Sequence, residues 1–266
     1  MSAVELSGVS KIFNKGAGNQ VDALVDIDLT IAAGEFVSLI GPSGCGKSTL
    51  LRLIANLIEP TGGSITVNGK SAKQARLDQD YGMAFQQSGL FEWRSVAKNV
   101  ELPLELKGWN STKRRERALE MLELVKLPDF AEHFPWQLSG GMQQRVAIAR
   151  ALAVHPALLL MDEPFGALDE MTREHMQSEL LSICRKAGTT VVFVTHSIPE
   201  AVYLSNRVVV MSPRPGRITD IIDVEIAGDR SDATRDDKAF FAGISAVRAA
   251  LRGVELESMA RGIEDR

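Results

Sequence analysis

Apolar residues in the first seventy positions fall into short runs. Val4–Phe13, Ala23–Ile31, Glu35–Ile40 and Ser64–Val67 read as strands, punctuated by Gly16, Gly34 and a Thr61-Gly62-Gly63 turn. Lys47–Leu57 breaks that rhythm, because Leu50, Leu51, Ile54 and Leu57 recur at helical spacing and make one apolar face. From Ser95 to about Val125 the pattern is helical and charged, and Lys113, Arg114, Arg115 and Arg117 read as a solvated helix face. Beyond Leu158 the alternation returns. Ala157–Met161, Thr189–Thr195 and Asn206–Met211 read as buried strands, with Glu170–Lys186 and Ser197–Leu204 as the helices between them. A Pro213-Arg214-Pro215-Gly216 turn precedes a last strand and a tail helix. In that helix Phe240, Ile244, Val247 and Leu251 share a face, to pack on its own domain or on a partner. No internal repeat and no low-complexity linker interrupts the series. The pattern predicts an α/β fold of one domain with two lobes, one of them a helical insert.

Composition narrows the class. The chain has 266 residues, of which 45% are hydrophobic and 24% charged, enough for a sizeable core. Thirty basic residues against 34 acidic give a net charge of −4, which is not the basic footprint of a duplex-binding protein. Two cysteines, Cys45 and Cys184, are too few for a disulfide framework and point to a reducing compartment. No run approaches the roughly 18 apolar residues of a membrane span, and Met1 to Lys15 lacks a signal-peptide core. A soluble intracellular protein is expected.

Chemistry enters at Gly41-Pro42-Ser43-Gly44-Cys45-Gly46-Lys47-Ser48, a phosphate-loop pattern lying between a strand that ends at Ile40 and a helix that starts near Lys47, with Thr49 next. Glycines let backbone N–H groups wrap a phosphate, and the helix N-terminus adds positive potential. Lys47 would reach the β- and γ-phosphates and Ser48 would offer its hydroxyl to Mg²⁺. Cys45 reads as a small spacer whose pKa the helix start could lower. Cys184 reads as packing.

A second strand, Leu158-Leu159-Leu160-Met161, delivers Asp162 and Glu163 at its end. Asp162 is placed for the magnesium shell and Glu163 for the attacking water. Strand alternation would send their side chains in different directions. Leu138-Ser139-Gly140-Gly141-Met142-Gln143-Gln144-Arg145 adds an N-cap serine and two glycines ahead of an Ala-rich helix, a helix start with bare N–H groups that suits an anion. His133, His155 and His175 share no metal-ligand spacing.

The phosphate loop, Ser139-Gly140-Gly141 and the Asp162-Glu163 strand occur in an order that resembles the ATP-binding-cassette (ABC) transporter ATPases over roughly residues 4–225. The resemblance implies a P-loop NTPase core of ABC-ATPase type, an antiparallel β subdomain, a helical subdomain at about 88–156 and a helical tail at 226–266. It implies that Gln86 touches Mg²⁺ and the γ-phosphate, and that His196 is a switch histidine on the γ-phosphate. Gly166-Ala167-Leu168-Asp169 resembles the D-loop, with glycine where many members carry serine. Phe13 falls where the family sets an aromatic ring under adenine; a core phenylalanine is the plainer alternative. ATP and Mg²⁺ are the implied ligands, and a head-to-tail, nucleotide-dependent homodimer the implied assembly.

The segments Phe85–Val96, Asn99–Leu104 and Met211-Ser212-Pro213-Arg214-Pro215-Gly216-Arg217-Ile218 resemble the nitrate/sulfonate/taurine importer ATPases, although Glu92 stands where a proline is common. Importers of pyrimidine vitamin precursors share the pattern. The implied partners are a membrane permease and, through it, a solute receptor, with no nucleic acid. The implied location is the cytoplasmic face of the membrane, peripherally bound. An exporter-type or soluble ABC ATPase is the alternative. Leu90, Phe91 and Trp93 are candidates for the permease contact, or for packing of the helical lobe.

Overall fold

The computed structural model describes residues 2–226, 228 and 230–264. It divides into two compact units, Met1–Gln79 with Thr190–Arg266, and Asp80–Thr189. The first unit opens with β1 (Ser2–Phe13), β2 (Val21–Ala32), β3 (Phe36–Ile40), α1 (Lys47–Ile54), β4 (Gly62–Val67), β5 (Lys70–Ser71) and α2 (Ala72–Leu77). Strands β2-β1-β4-β5 form an antiparallel sheet in that order. Val4, Leu6, Ile27, Leu29 and Ile31 are buried while Glu5, Asp28 and Thr30 face out, the alternation of a sheet with one wet face. The short α2 was not signalled by apolar periodicity. It starts where Ser71 caps the Gln74 N–H at 3.2 Å.

The second unit holds β6 (Tyr81–Ala84), α3 (Val96–Leu106), α4 (Ser111–Leu124), α5 (Gly140–Leu152), β7 (Leu158–Asp162) and α6 (Glu170–Ala187). β6 and β7 run parallel, from Tyr81↔Leu158 to Ala84↔Met161. All five residues of β7 are buried, as expected of a strand covered on both faces. Ser95, Asn110, Ser139 and Asp169 cap α3, α4, α5 and α6 with their side chains. Gly188 ends α6 at φ 64, the left-handed conformation that glycine takes without a Cβ clash.

The basic cluster on α4 is not a uniformly solvated face. Lys113 is exposed, but Arg117 is only 7% exposed. Its guanidinium donates to the carbonyls of Ala153 and Leu152 and pairs with Glu120 at 2.7 Å. Arg115 bonds Glu132 and faces the buried Glu101. The carbonyls leaving the end of α5 need donors, and a long side chain one helix away supplies them.

The chain returns to the first unit with β8 (Thr190–Val194), α7 (Ile198–Leu204), β9 (Arg207–Met211), β10 (Ile218–Asp223) and α8 (Lys238–Glu264). β3 lies between β8 and β9, parallel to both, and β10 adds antiparallel to β9. Ser38 and Ser205 share a 2.6 Å hydrogen bond in this core. Phe240, Ile244 and Val247 are buried as α8 packs on α7, β9 and β10, with Val254 joining them and Leu251 half-buried. No helix among the described residues is long and apolar enough to cross a membrane.

Gly82 shows how tightly β6 sits on α5. A Cβ there would overlap the Ala151 carbonyl oxygen and stand 3.1 Å from Pro156 Cγ. Gly82→Ala should therefore destabilise the protein by about 1–3 kcal/mol through overpacking, read as a lower midpoint in chemical denaturation. A midpoint equal to the parent's would show that the strand can shift freely.

Candidate functional site

The phosphate loop is built by close backbone approach. Gly46 caps α1 at φ 107, and a Cβ on it would stand 2.6 Å from Leu24 Cδ2. A Cβ on Gly41 would stand 2.7 Å from the Met211 carbonyl oxygen. Only glycine satisfies both positions. Lys47 is 8% exposed, and its ammonium donates to the carbonyls of Gly41 at 2.7 Å and Pro42 at 3.0 Å. Ser43 and Gly44 are exposed at the tip, while Ser48 and Thr49 are half-buried on the first turn of α1. Cys45 is fully buried. Burial raises its thiol pKa, outweighing the lowering by Lys47, so the depression expected from the helix start is corrected. Burial pushes the Cys184 thiol up to about 12, consistent with packing.

His196 follows β8 in the same unit, with its side chain exposed. Thr195 beside it bonds the Glu200 carboxylate and accepts the Ser197 N–H at 3.0 Å, which fixes the turn. Phe13 ends β1 and is 36% exposed, with the Lys11 ammonium 5.1 Å from its ring centroid. It is a surface ring, not a core one.

In the second unit Asp162 ends β7 and is 3% exposed. Glu163 lies beyond the strand in the left-handed region, φ 46, and is half-buried. Because the strand ends at Asp162 and the backbone turns left-handed at Glu163, the pleat alternation that the sequence suggests does not extend across the pair. A non-glycine residue held there stores roughly 1–3 kcal/mol of strain, a feature that clusters at functional sites. Gly166 N–H and Leu168 N–H close the following turn onto the carbonyls of Glu163 and Phe165. Asp169 then caps α6 by accepting the Thr172 N–H at 2.9 Å, and this bond holds its carboxyl below the ordinary carboxylate range.

Ser139 and Gly140 are exposed at the start of α5, where Ser139 accepts the Met142 N–H at 3.3 Å. A Cβ on Gly141 would be 3.2 Å from the Ala167 carbonyl oxygen, so the helix start and the 166–169 turn pack backbone to backbone. Gln86 is exposed, and its neighbours are held by α5. Gln144 donates to the Phe85 carbonyl at 2.8 Å, and Gln143 accepts from Ser88 at 3.2 Å. Arg150 donates to Ser88 and Gly89 carbonyls at 2.8 Å each. Buried Asn99 accepts the Phe91 N–H at 2.7 Å and donates to the carbonyls of Phe91, Arg94 and Ser95. Sequence reasoning passed over Gln143, Gln144, Arg150 and Asn99. The available signal was polarity on otherwise apolar helices.

Among the described residues no cluster of three or more His, Cys, Asp or Glu could hold a metal ion. Mg²⁺ arriving with a nucleotide needs only one or two protein oxygens besides phosphate and water. Ser48, Asp162 and Gln86 are hard oxygen donors of that kind.

A family model for the ABC transporter matches residues 24–166, more than half of the chain. An uncharacterized ABC transporter ATP-binding protein of Methanocaldococcus jannaschii is 50% identical over 227 residues, covering 85% of this chain and 84% of that protein. The taurine import ATP-binding protein TauB of Yersinia pestis is 47% identical over 230 residues, covering 83% and 88%. A solved dimeric ATP-binding cassette, MJ0796, bound to ADP and Pi superposes with TM-score 0.77 at 38% identity, covering 84% of this chain and all of that one. The chain belongs to the ABC transporter ATPases.

Asn99→Ala removes the acceptor of the Phe91 N–H and the donor shared by three carbonyls. The cost should be about 1–3 kcal/mol of stability, and amide exchange at residues 88–95 should speed up more than in α6. Uniform exchange would mean that the loop is held elsewhere.

Proposed function

We propose that the chain is the ATP-hydrolysing subunit of an importer for a small anion such as nitrate, sulfonate or taurine, docked on a separate permease at the cytoplasmic face of the membrane. The observation that carries the chemistry is the pair of features standing ready in the two units, a glycine-walled loop with a buried lysine and a strained glutamate behind a buried aspartate. Lys47 and the loop N–H groups bind the β- and γ-phosphates. Ser48 in the first unit and Gln86 and Asp162 in the second are the residues that would each offer an oxygen to Mg²⁺, which would supply charge neutralisation on the phosphates. Glu163 polarises the attacking water, His196 contacts the γ-phosphate and Phe13 stacks under adenine. Ser139, Gly140 and Gly141 present their helix start to the γ-phosphate held by a second copy, so ATP assembles a homodimer, as the dimeric relative supports. Asp169 stands at that D-loop contact.

Glu163→Gln keeps the side chain's shape and removes the charge that polarises water. Hydrolysis should fall by roughly 10²–10⁴-fold while Mg-ATP still binds and drives dimerisation in size-exclusion chromatography. A mutant that turns over near the parent rate, or stays monomeric, contradicts the assignment. Ser139→Arg should retain ATP binding and lose hydrolysis.

Permease docking is supported by the surface of the second unit. A pocket of about 180 Å³ is lined by Met83, Leu102, Pro103, Leu106, Ala151 and Val154, with Arg150 at its wall. Arg150 also grips the loop that follows Gln86, so an occupant of the pocket touches a residue that positions that loop. Trp93 is 75% exposed against a half-buried Phe91, ring centroids 4.9 Å apart, and exposed aromatics are favoured interface anchors. Co-purification from membranes should recover a permease and a solute receptor; ribosomal proteins in their place would overturn the importer reading. Trp93→Glu should uncouple transport in the reconstituted complex and leave basal ATPase activity of the isolated subunit unchanged. Loss of folding would assign Trp93 to packing.

A further inference from the structure

We propose that the loop after β9, Ser212–Arg217, is a positioning brace for the phosphate loop, with Gly216 and Arg214 fixing the peptide orientations on which phosphate binding depends. This rests on the reading of residues 41–48 as the ATP site. It gives a role to the Met211–Ile218 segment, which the catalytic assignments leave unused.

The brace is rigid and anchored. The Ser212 N–H donates to the Arg217 carbonyl at 2.9 Å, and the Arg217 N–H donates to Ser212 Oγ at 2.9 Å, closing the loop on itself. Gly216 N–H donates to the Ala23 carbonyl at 3.0 Å and its carbonyl accepts the Val25 N–H at 3.0 Å, tying the loop to β2.

Against this brace lie two consecutive carbonyls of the phosphate loop. A Cβ on Gly216 would overlap the Cys45 carbonyl oxygen and stand 3.1 Å from Leu24 Cδ2. That same Leu24 methyl abuts Gly46, so Gly216, Cys45, Gly46 and Leu24 pack as one layer. Arg214 donates to the Gly44 carbonyl at 3.4 Å. In a trans peptide the C=O and the next N–H point in opposite directions. Turning the Cys45 carbonyl onto Gly216 therefore aims the Gly46 N–H away from the brace. Holding the Gly44 carbonyl at Arg214 turns the Cys45 N–H away from the brace as well, where it donates to the Pro42 carbonyl at 3.3 Å. Lys47 gathers the carbonyls of Gly41 and Pro42. An anion-binding concavity needs N–H groups facing in and no carbonyl among them. The brace and Lys47 divide that task.

The test uses the full chain and four variants: Gly216→Ala, Arg214→Ala, Arg214→Lys and Lys47→Ala. Mg-ATP affinity is measured by calorimetry, kcat and KM by phosphate release, and the melting midpoint without nucleotide. Gly216→Ala should weaken Mg-ATP binding by about tenfold or more and Arg214→Ala by about three- to tenfold. Both should raise KM with kcat at saturation within about twofold; the nucleotide-free midpoint should stay near the parent's in the Arg214 variants, while Gly216→Ala, whose Cβ meets the Cys45 carbonyl, should lower it. Arg214→Lys should restore part of the lost affinity, which a purely structural role would not require. If Gly216→Ala fails to fold, the two Arg214 variants decide. Parent-like affinity in the Arg214 and Gly216 variants, with binding lost in Lys47→Ala, overturns the brace alone. Parent-like binding in Lys47→Ala overturns the phosphate-loop reading and the brace with it.

Discussion

A phosphate group held by backbone N–H donors obliges the same peptides to send their carbonyls elsewhere, and the first unit is organised around where those carbonyls go. Lys47 is buried and takes two of them. Leu24, Met211 and Gly216 approach so closely that residues 41, 46 and 216 can only be glycine. The strands β3 and β9 run parallel, with Ile40 opposite Val210, so the loop leaving β3 meets the chain leaving β9 at the same sheet edge. Binding sites in α/β folds lie at that carboxyl edge because strand ends deliver loops together there.

The second unit meets a different constraint. Two adjacent carboxylates, one of them nearly fully buried, sit where a strand gives way to a turn. β7 is buried along its whole length, so Asp162 has no freedom to swing. Glu163 has a left-handed backbone, held by the turn in which Gly166 N–H bonds its carbonyl. Strain of that kind persists only where surrounding structure determines it. Here the determinants are buried Phe165 and Leu168 on the far side of the turn.

The strands and helices around the phosphate loop and the Asp162-Glu163 strand were legible because they repeat at fixed periods and end in residues with one conformational use. The Ser139 cap was legible for the same reason. The burial of Arg117 was not, since it depends on the carbonyls of Ala153 and Leu152, 36 and 35 residues away. The rise in the Cys45 pKa was not, since desolvation exceeds the local charge of Lys47 only once the fold encloses the thiol. Nor was the left-handed backbone at Glu163, which takes that residue out of the strand's alternation. Local pattern predicts elements; the contacts between elements set charge states and directions.

Helix α5 joins the two kinds of constraint within its own unit. Its exposed N-terminus carries Ser139 and Gly140, and Gly141 backs onto Ala167 of the turn that follows Glu163. Further along, Gln143, Gln144 and Arg150 hold the carbonyls and hydroxyl that flank Gln86. An α-helix is stiff over this length, about 20 Å at 1.5 Å per residue. Displacement of its N-terminus therefore carries Phe85, Ser88 and Gly89 with it unless those hydrogen bonds break. Arg150 makes such breakage costly, because its guanidinium is desolvated enough for burial to lower its pKa, and each lost carbonyl would leave a charged donor without a partner. The helix start, the 166–169 turn and the loop after Gln86 are thereby bound to move together.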